Sequence, residues 1–318
     1  MWIENPVFRE DLEQLAACEF IPWQDLEKKT ILITGATGLI GYMLTSALLY
    51  RNLKYNSGIQ VAALVRDLER GRDKFSAQIA EGCGLILLEG SVEQLPEING
   101  PINYIVHGAG PTASAYFVEK PVETITSVVM GTRNLLELGK TKQVSGFVYL
   151  SSMEVYGKVI SKTAQAEKDL GYLDLFSPRS SYPESKRMAE SLCCAYFEEY
   201  GVPATSARLA QTFGPGVAYE DERVFAYAAR CALKGENICL HTSGTKENMY
   251  LYTADAVSAI LLLLIRGERG TAYNAANPET YCSVKEMSEL AAELGAGKVS
   301  VITNCGGGGG GGAPPRGG

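Results

Sequence analysis

Three glycines spaced three residues apart constrain the fold of this chain more than any other feature. They follow the apolar run Thr30–Ile33, which has the composition of a buried strand. Glycines at a strand-to-helix turn let the backbone turn tightly, approach a pyrophosphate and pack the next helix closely on the sheet. A helix that begins here offers unpaired N–H groups and its positive dipole end to phosphates. The candidate phosphate-binding residues are Gly35, Thr37, Gly38, Leu39, Ile40 and Gly41.

The spacing of this turn, G-x-x-G-x-x-G, differs from the G-x-G-x-x-G fingerprint of other dinucleotide sites. Two later stretches support the same kind of site. Tyr149–Gly157 has the pattern of a strand that ends in two serines, and Tyr182 and Lys186 form a Y-x-x-x-K pattern thirty residues after Ser152. The combination predicts a site for hydride transfer with a nicotinamide dinucleotide.

Tyr182 and Lys186 are one helical turn apart and therefore share a face of the predicted helix. A lysine ammonium beside a phenol favours the phenolate, so we expect Lys186 to lower the pKa of Tyr182 towards the range of a general base. Ser152 is predicted at the carboxyl end of its strand, where open α/β sheets bind ligands. Its hydroxyl can donate a hydrogen bond to the substrate oxygen that Tyr182 deprotonates.

Strand and helix patterns alternate along the chain, which predicts an α/β fold with a mostly parallel sheet covered on both faces. The predicted strands are Ile31–Thr34, Gln60–Val65, Leu85–Leu88, Tyr104–Gly108, Gly146–Ser151, Ala204–Leu209 and Ala272–Ala275. The predicted helices are Leu39–Tyr50, Val122–Gly139, Ser181–Tyr200, Arg223–Lys234, Ala254–Arg266 and Val284–Leu294. Residues 1–29 precede the first strand, and we expect a helical cap or an oligomer contact there.

Composition excludes several classes of protein. The 318 residues can bury a large core, and a net charge of −7 without a basic run argues against nucleic acid and anionic membranes as partners. The most apolar stretch, Ala254–Ile265, is too short to span a bilayer, and no signal-peptide run begins the chain. Eight cysteines without a C-x-x-C pair and only two histidines predict no metal site and a reducing cytoplasmic location.

Taken together, these motifs resemble the extended short-chain dehydrogenase/reductase family, in particular its nucleotide-sugar epimerases, dehydratases and decarboxylases. The resemblance runs from about Thr30 to about Thr303. It is carried further by five stretches: Val106–Pro111, Pro178–Tyr182, Ala207–Leu209, Thr212–Pro215 and Tyr252–Val257. The segment Ser177–Leu192 looks most like UDP-glucuronate decarboxylases and dTDP-glucose 4,6-dehydratases.

The resemblance implies a Rossmann-type doubly wound parallel sheet with a smaller C-terminal substrate lobe. The Rossmann domain is expected over residues 30–210 and 252–275, and the substrate lobe over residues 211–251 and 276–305. Relatives commonly form homodimers through two helices per subunit. The glycine-rich tail, residues 306–318, cannot bury a core and has no expected function.

The resemblance also assigns roles to single residues. The implied catalytic residues are Ser152, Glu154, Tyr182 and Lys186, and the implied further cofactor-binding residues are His107, Gly108 and Ala109. The implied substrate-binding residues are Thr112, Ser114, Arg179, Gln211 and Asn248. The expected substrate is a nucleotide-diphosphate sugar that passes through a transient 4-keto form.

Four anchor positions depart from the pattern of relatives: Val128 and Gln211 replace asparagines, and Gly216 and Asn248 replace arginines. Loss of an arginine removes a charge-assisted clamp on the sugar diphosphate, for which Lys246 could substitute as a point charge. These departures keep a catalytically silent NAD(P)-binding protein open as an alternative of another class.

The reaction and the cofactor also keep alternatives. Glu154 occupies the acid/base position of dehydratases and decarboxylases, although dehydratases of the dTDP-glucose type carry Asp where this chain has Met153. A 4-epimerase does not need Glu154 and is therefore the third alternative. The resemblance favours NAD, whereas Arg66 at the end of the second strand could meet the 2′-phosphate of NADP.

Overall fold

Seven parallel strands form one sheet in the computed structural model, which describes residues 2–158, 165–295 and 297–304. The strands of the described residues are β1 (Thr30–Thr34), β2 (Gln60–Val65), β3 (Leu85–Glu89), β4 (Tyr104–His107), β5 (Gly146–Ser152), β6 (Ala204–Leu209), β7 (Gln211–Phe213), β8 (Ile238–Cys239), β9 (Glu247–Asn248), β10 (Tyr250–Tyr252), β11 (Ala272–Ala275), β12 (Cys282–Ser283) and β13 (Val301–Ile302). The order in the large sheet is β3-β2-β1-β4-β5-β6-β11. The order reverses between β1 and β4, which confirms the predicted doubly wound Rossmann topology.

Helices cover this sheet and connect its strands. They are α1 (Pro6–Ala17), α2 (Trp23–Leu26), α3 (Leu39–Tyr55), α4 (Leu68–Lys74), α5 (Ser76–Ala80), α6 (Ser114–Glu119), α7 (Pro121–Lys142), α8 (Ser181–Tyr200), α9 (Val224–Lys234), α10 (Thr253–Arg266) and α11 (Val284–Glu293). Short 3-10 helices occupy Met153–Tyr156, Pro178–Ser180 and Pro278–Thr280. The predicted long elements are present, while α4, α5 and α6 were not predicted because they are too short for a clear periodic pattern.

The chain forms two compact units. The first contains residues 1–216 and 251–276 and holds the seven-stranded sheet. Its core includes Leu32 from β1, Phe147 and Tyr149 from β5, and Leu135 from α7, all of which are buried. Strands buried on both faces read as continuous apolar runs, which explains why the sequence pattern located them well.

The second unit contains residues 217–250 and the described residues after 276. Its core is formed between α9 and α11, with Ala228, Cys231 and Ala292 buried together with Ile238 of β8. Two short sheets, β9 with β12 and β8 with β13, complete it. The substrate-binding role of this region stays a prediction, and the predicted glycine-rich tail lies outside the described residues.

The N-terminal extension is helical. Phe8 and Leu12 of α1 are buried, and Asp11 on the same helix accepts a hydrogen bond of 2.9 Å from the hydroxyl of Tyr252. The described part of the chain contains no helix that is long and apolar enough to cross a bilayer. It also brings together no cluster of three or more histidine, cysteine, aspartate or glutamate side chains that could hold a metal ion.

Candidate functional site

The glycine turn lies at the point where the strand order reverses. Thr34 at the end of β1 is opposite His107 at the end of β4, and the loops after both strands meet there. Gly35 has a φ of +73°, and a Cβ on it would lie 2.7 Å from the carbonyl oxygen of Gly108. A Cβ on Gly41 would lie 2.1 Å from the carbonyl oxygen of Gly35. Only glycine permits this close approach of backbones at the two positions.

The start of α3 fits the phosphates of a dinucleotide. Gly38 is the N-cap residue and has no side chain that could cap the first turn of this 17-residue helix. The first N–H groups of an uncapped helix are unsatisfied donors at its positive end, which favours an anion. Thr37 and Gly38 are exposed, and Leu39 and Ile40 are half-buried. The residues present therefore fit the expected pyrophosphate, although their role in binding stays a prediction.

A buried chain of hydrogen bonds fixes the neighbouring loop after β4. Thr132 donates to the carbonyl oxygen of Val128 at 2.7 Å, so its oxygen accepts from Nε2 of His107 at 3.1 Å. Nδ1 of His107 then accepts from the Thr34 hydroxyl at 2.8 Å, and the Thr34 oxygen accepts from the backbone N–H of Ala109 at 3.2 Å. Burial lowers the pKa of His107 to about 3, which agrees with this neutral tautomer.

The His107 ring is fully buried, so it supports the site from within. It connects β1, β4 and α7 and holds Ala109 next to the glycine turn. Gly108 and Ala109 are half-buried beside the turn. The prediction that these three residues contact the cofactor stays a prediction.

The Tyr182–Lys186 pair lies on the first turns of α8, as predicted. Lys186 is buried, and its Nζ donates to the carbonyl oxygen of Leu150 at 2.7 Å. The same Nζ is 4.6 Å from the ring centroid of Tyr149 and 5.6 Å from that of Tyr182. Ser152 ends β5 and makes a side-chain hydrogen bond to Tyr182. The structure therefore brings together the three residues proposed for hydride-transfer chemistry.

The expected lowering of the Tyr182 pKa is wrong for the groups of the protein alone. Burial raises the pKa of Tyr182 to about 12, and this effect outweighs the hydrogen bond from Ser152, which lowers it. Burial also lowers the pKa of Lys186 to about 8. Both shifts favour neutral side chains, because removing either group from water penalises its charged form. Sequence spacing could not indicate this, since it carries no information on burial.

Glu154 lies two residues after Ser152 and forms an ion pair with Arg179, another predicted site residue. Nη2 of Arg179 donates to both carboxylate oxygens of Glu154, at 2.9 and 2.7 Å. The Arg179 guanidinium also lies 4.9 Å from the ring centroid of Phe117. The Phe117 ring stacks on Tyr182, with ring centroids 4.2 Å apart and an angle of 6° between the planes. Glu154, Arg179, Phe117 and Tyr182 therefore form one continuous group of side chains.

Phe117, Glu190 and Arg208 of this region were not among the predicted site residues. Phe117 is buried on the short helix α6, for which no pattern was visible. Glu190 lies one turn after Lys186 on α8 and accepts from Nε and Nη2 of Arg208 at 3.0 and 2.7 Å. Glu190 also accepts from the Ser151 hydroxyl next to the site. The four-residue spacing from Lys186 to Glu190 was a signal that could have placed Glu190 on the same face of α8 as Lys186.

The remaining predicted residues lie at different places. Thr112 and Ser114 are exposed before and at the start of α6, and Arg66 is exposed directly after β2. Gln211 begins β7, two residues after Leu209, which is opposite Ser152 in the sheet. Asn248 lies on β9 in the second unit. Their roles in binding stay predictions.

Comparison with known proteins extends this description. A model of the NAD-dependent epimerase/dehydratase family matches residues 31–276. The chain is 29% identical over 280 residues to UDP-glucuronic acid decarboxylase 1 of Xenopus tropicalis, covering 87% of this chain and 63% of the relative. It is 30% identical to UDP-glucuronic acid decarboxylase 6 of Arabidopsis thaliana, covering 83% of this chain and 74% of that protein. The chain thus spans less than two thirds of the length of the Xenopus relative.

The fold is also similar to that of solved structures. A dTDP-glucose 4,6-dehydratase from Bacillus anthracis, solved in complex with NAD, superposes with a TM-score of 0.69 at 23% identity. The match covers 86% of this chain and 84% of the dehydratase. At this identity the likeness supports the fold.

Proposed function

The chain belongs to the NAD-dependent epimerase/dehydratase family, and from this premise we propose that it is an enzyme that decarboxylates a nucleotide-linked hexuronic acid. The observation that carries the proposal is the meeting of Ser152, Glu154 and Tyr182 beyond the end of β5, at the same edge of the parallel sheet as the glycine turn. The names of the similar decarboxylases support the choice of a uronic acid. A dTDP-glucose-type dehydration is the second candidate, because Glu154 suits both reactions.

We propose NAD as the resident cofactor, held by the backbone of the glycine turn and by Lys186. When bound, the cofactor would supply hydride transfer from and back to a sugar carbon. The family description supports NAD, while the exposed Arg66 keeps NADP as the alternative. Denaturing the freshly purified protein and identifying the released dinucleotide by mass tests this choice.

The side chains of this chain move and hold protons around that exchange. Tyr182 is the proposed base for the sugar C4 hydroxyl, and Ser152 donates a hydrogen bond to the same oxygen. With a pKa of about 12 in the protein alone, Tyr182 needs added positive charge close to its phenol before it can act at neutral pH. Burial and the charge of Glu154 raise the pKa of Tyr182, and the charge of Arg179 lowers it by less.

Loss of carbon dioxide follows from the chemistry of the 4-keto sugar. The C5–carboxylate bond breaks, and its electron pair moves towards the C4 carbonyl, which becomes the oxygen end of a C4–C5 enolate. Carbon dioxide leaves, C5 takes up a proton to restore the C4 ketone, and return of the hydride would then reduce this ketone to the alcohol. Glu154 is the proposed acid that delivers this proton to C5.

Product analysis tests the proposed function. The purified protein is incubated with UDP-glucuronate, UDP-glucose and dTDP-glucose, and the products are separated and weighed by mass spectrometry. Loss of carbon dioxide from UDP-glucuronate is the expected result. Loss of water would identify a dehydratase, unchanged mass with altered stereochemistry a 4-epimerase, and no reaction with any sugar a catalytically silent protein.

Replacement of Glu154 separates these chemistries further. For a decarboxylase or dehydratase, Glu154→Gln should still oxidise the sugar but accumulate reduced cofactor, because the amide cannot exchange a proton. Absorbance of the reduced nicotinamide in a single turnover is the measurement. Full turnover by Glu154→Gln would contradict both reactions and favour a 4-epimerase. The homodimer and the cytoplasmic location expected from the sequence stay predictions.

A further inference from the structure

Arg179 has hydrogen-bonding capacity that the described part of the chain does not use. Its contact with Glu154 is made by Nη2 alone, which donates to both carboxylate oxygens. Within the described part of the chain, Nε and Nη1 have no acceptor. A guanidinium presents its donors in a planar fork that matches a carboxylate, so a second anion can bind beside Glu154.

The position of Arg179 places these donors next to the reacting groups. It lies three residues before Tyr182, and its guanidinium contacts the face of Phe117, which in turn stacks on the Tyr182 ring. Phe117 is itself fixed, because its carbonyl oxygen accepts a hydrogen bond of 3.0 Å from the Ser181 hydroxyl. The charges of Glu154 and Arg179 both act on the Tyr182 phenol. A sugar whose C4 oxygen meets this phenol therefore has its C5 substituent within reach of the two charged groups.

The Arg179–Glu154 pair is suited to exchange partners. Its side chains are 38% and 32% exposed, and ion pairs with this access to water are weak. The Arg208–Glu190 pair is different, because its side chains are 6% and 11% exposed and both charges depend on each other. The first pair can open at little cost, whereas the second cannot.

We propose that Arg179 recognises the carboxylate of a sugar acid and that this carboxylate competes with Glu154 for the guanidinium. This rests on the proposed function and adds the residue that distinguishes a uronic acid from a neutral hexose. Arrival of the substrate carboxylate releases Glu154 towards C5. Glu154 remains close enough to take Arg179 back, so the anchor does not hold the carboxylate through its loss as carbon dioxide.

Binding measurements without turnover test this exchange. Tyr182→Phe keeps the ring that stacks on Phe117 and serves as the background, with saturating NAD. Dissociation constants for UDP-glucuronate and UDP-glucose are then measured by calorimetry in this background and with Arg179→Gln, Arg179→Lys or Glu154→Gln added. Thermal unfolding of each variant, without sugar, checks that it is folded.

The proposal expects opposite effects of the two partners. Arg179→Gln should weaken the binding of UDP-glucuronate by about tenfold or more, because a charge-assisted contact is lost. Arg179→Lys should weaken this binding less. Glu154→Gln should tighten the binding of UDP-glucuronate by several-fold, because the competing carboxylate is gone. UDP-glucose should change by less than about twofold in all variants, because it makes no ion pair with either side chain.

Other results overturn the proposal in recognisable ways. An equal loss of affinity for both sugars in Arg179→Gln would show that Arg179 only supports the fold of the site. Weaker binding of UDP-glucuronate in Glu154→Gln would show the same. Such a result leaves the decarboxylase function standing. If neither sugar binds to the folded Tyr182→Phe background, the proposed function fails together with the anchor.

Discussion

At the scale of single residues, the site is defined by two side chains whose reactive forms are disfavoured by burial. Tyr182 and Lys186 are both buried, and their pKa values of about 12 and about 8 converge towards neutral forms. The protein alone therefore holds a phenol rather than a phenolate at neutral pH. The hydrogen bond from Ser152 and the charge of Arg179 lower the pKa of Tyr182 only in part, and the charge of Glu154 raises it further.

The Tyr182 phenol is expected to be essential for turnover but not for folding. Tyr182→Phe keeps the stacked ring on Phe117, so its melting temperature should stay close to that of the wild type. Turnover should fall by about a hundredfold or more, since the proposed base is removed. Tyr196→Phe on the same helix is the matched control, because its hydroxyl binds Glu137 outside the site. A near-normal rate for Tyr182→Phe would show that another group takes the proton.

The buried ammonium of Lys186 is expected to lower the free energy of unfolding, although function requires this residue. Its folded pKa of about 8 lies below its ordinary value of 10.5, so the unfolded chain binds more protons between these values. Stability should therefore rise as the pH rises from about 8 towards 10.5, and the full cost is present below about 8. Lys186→Met should remove this dependence and stabilise the protein at neutral pH by about 1–2 kcal/mol after loss of the Leu150 hydrogen bond.

Denaturant unfolding of both proteins across this pH range measures the effect. Activity should be lost in Lys186→Met. A variant less stable than the wild type at neutral pH would mean that the lysine is better solvated or better paired than its burial indicates.

At the scale of elements, α8 carries the site because its residues spaced four positions apart lie on one face of the helix. Tyr182, Lys186 and Glu190 lie on this face and reach the ends of β5 and β6. Glu190 raises the pKa of Lys186, against the larger effect of burial. Glu190 therefore both fixes the helix on the sheet through Arg208 and supports the ammonium form of Lys186.

Breaking this pair is expected to be much more costly than breaking a neighbouring one. Glu190→Gln leaves the buried Arg208 charge unpaired and should lower stability by about 3–5 kcal/mol. Glu184→Gln on the same helix breaks the more exposed pair with Arg187 and should cost less than about 1 kcal/mol. Denaturant unfolding of the two variants gives the comparison. Equal effects would show that the buried pair contributes no more than the exposed one.

At the scale of the whole molecule, the N-terminal extension is joined to residues far along the chain. Asp11 of α1 and Tyr252, the N-cap residue of α10, are 241 positions apart and share a hydrogen bond of 2.9 Å. Burial raises the pKa of Asp11, while the bond from Tyr252 lowers it. The extension is thereby part of the first compact unit. Its contact uses a carboxylate whose charged form is disfavoured by burial.

Substitution of Asp11 should reveal how much of this contact is hydrogen bond and how much is charge. Asp11→Asn keeps an acceptor for Tyr252 and removes the buried charge, so stability at neutral pH should be unchanged or higher. Asp11→Ala should lower it by about 1–3 kcal/mol, because the Tyr252 hydroxyl loses its partner. Thermal unfolding of these variants, with Tyr252→Phe completing the cycle, is the measurement. A large loss in Asp11→Asn would show that the charge itself stabilises the contact.

The sequence by itself determined the features that depend on local pattern. Buried strands such as β1 and β2 read as largely apolar runs, and glycines at 35 and 41 are required by the turn that follows β1. The spacing of Tyr182 and Lys186 within one helix placed both on a single face. These features follow from backbone geometry, which short-range sequence encodes directly.

Only the tertiary structure decided which groups meet and how deeply they are buried. The stacking of Phe117 on Tyr182 and the pairing of Arg179 with Glu154 join residues from separate segments. The upward pKa shift of Tyr182 depends on the solvent that the folded chain removes, and this reversed the sequence-based expectation. Burial and long-range contact arise from packing of the whole unit, so no local spacing can specify them.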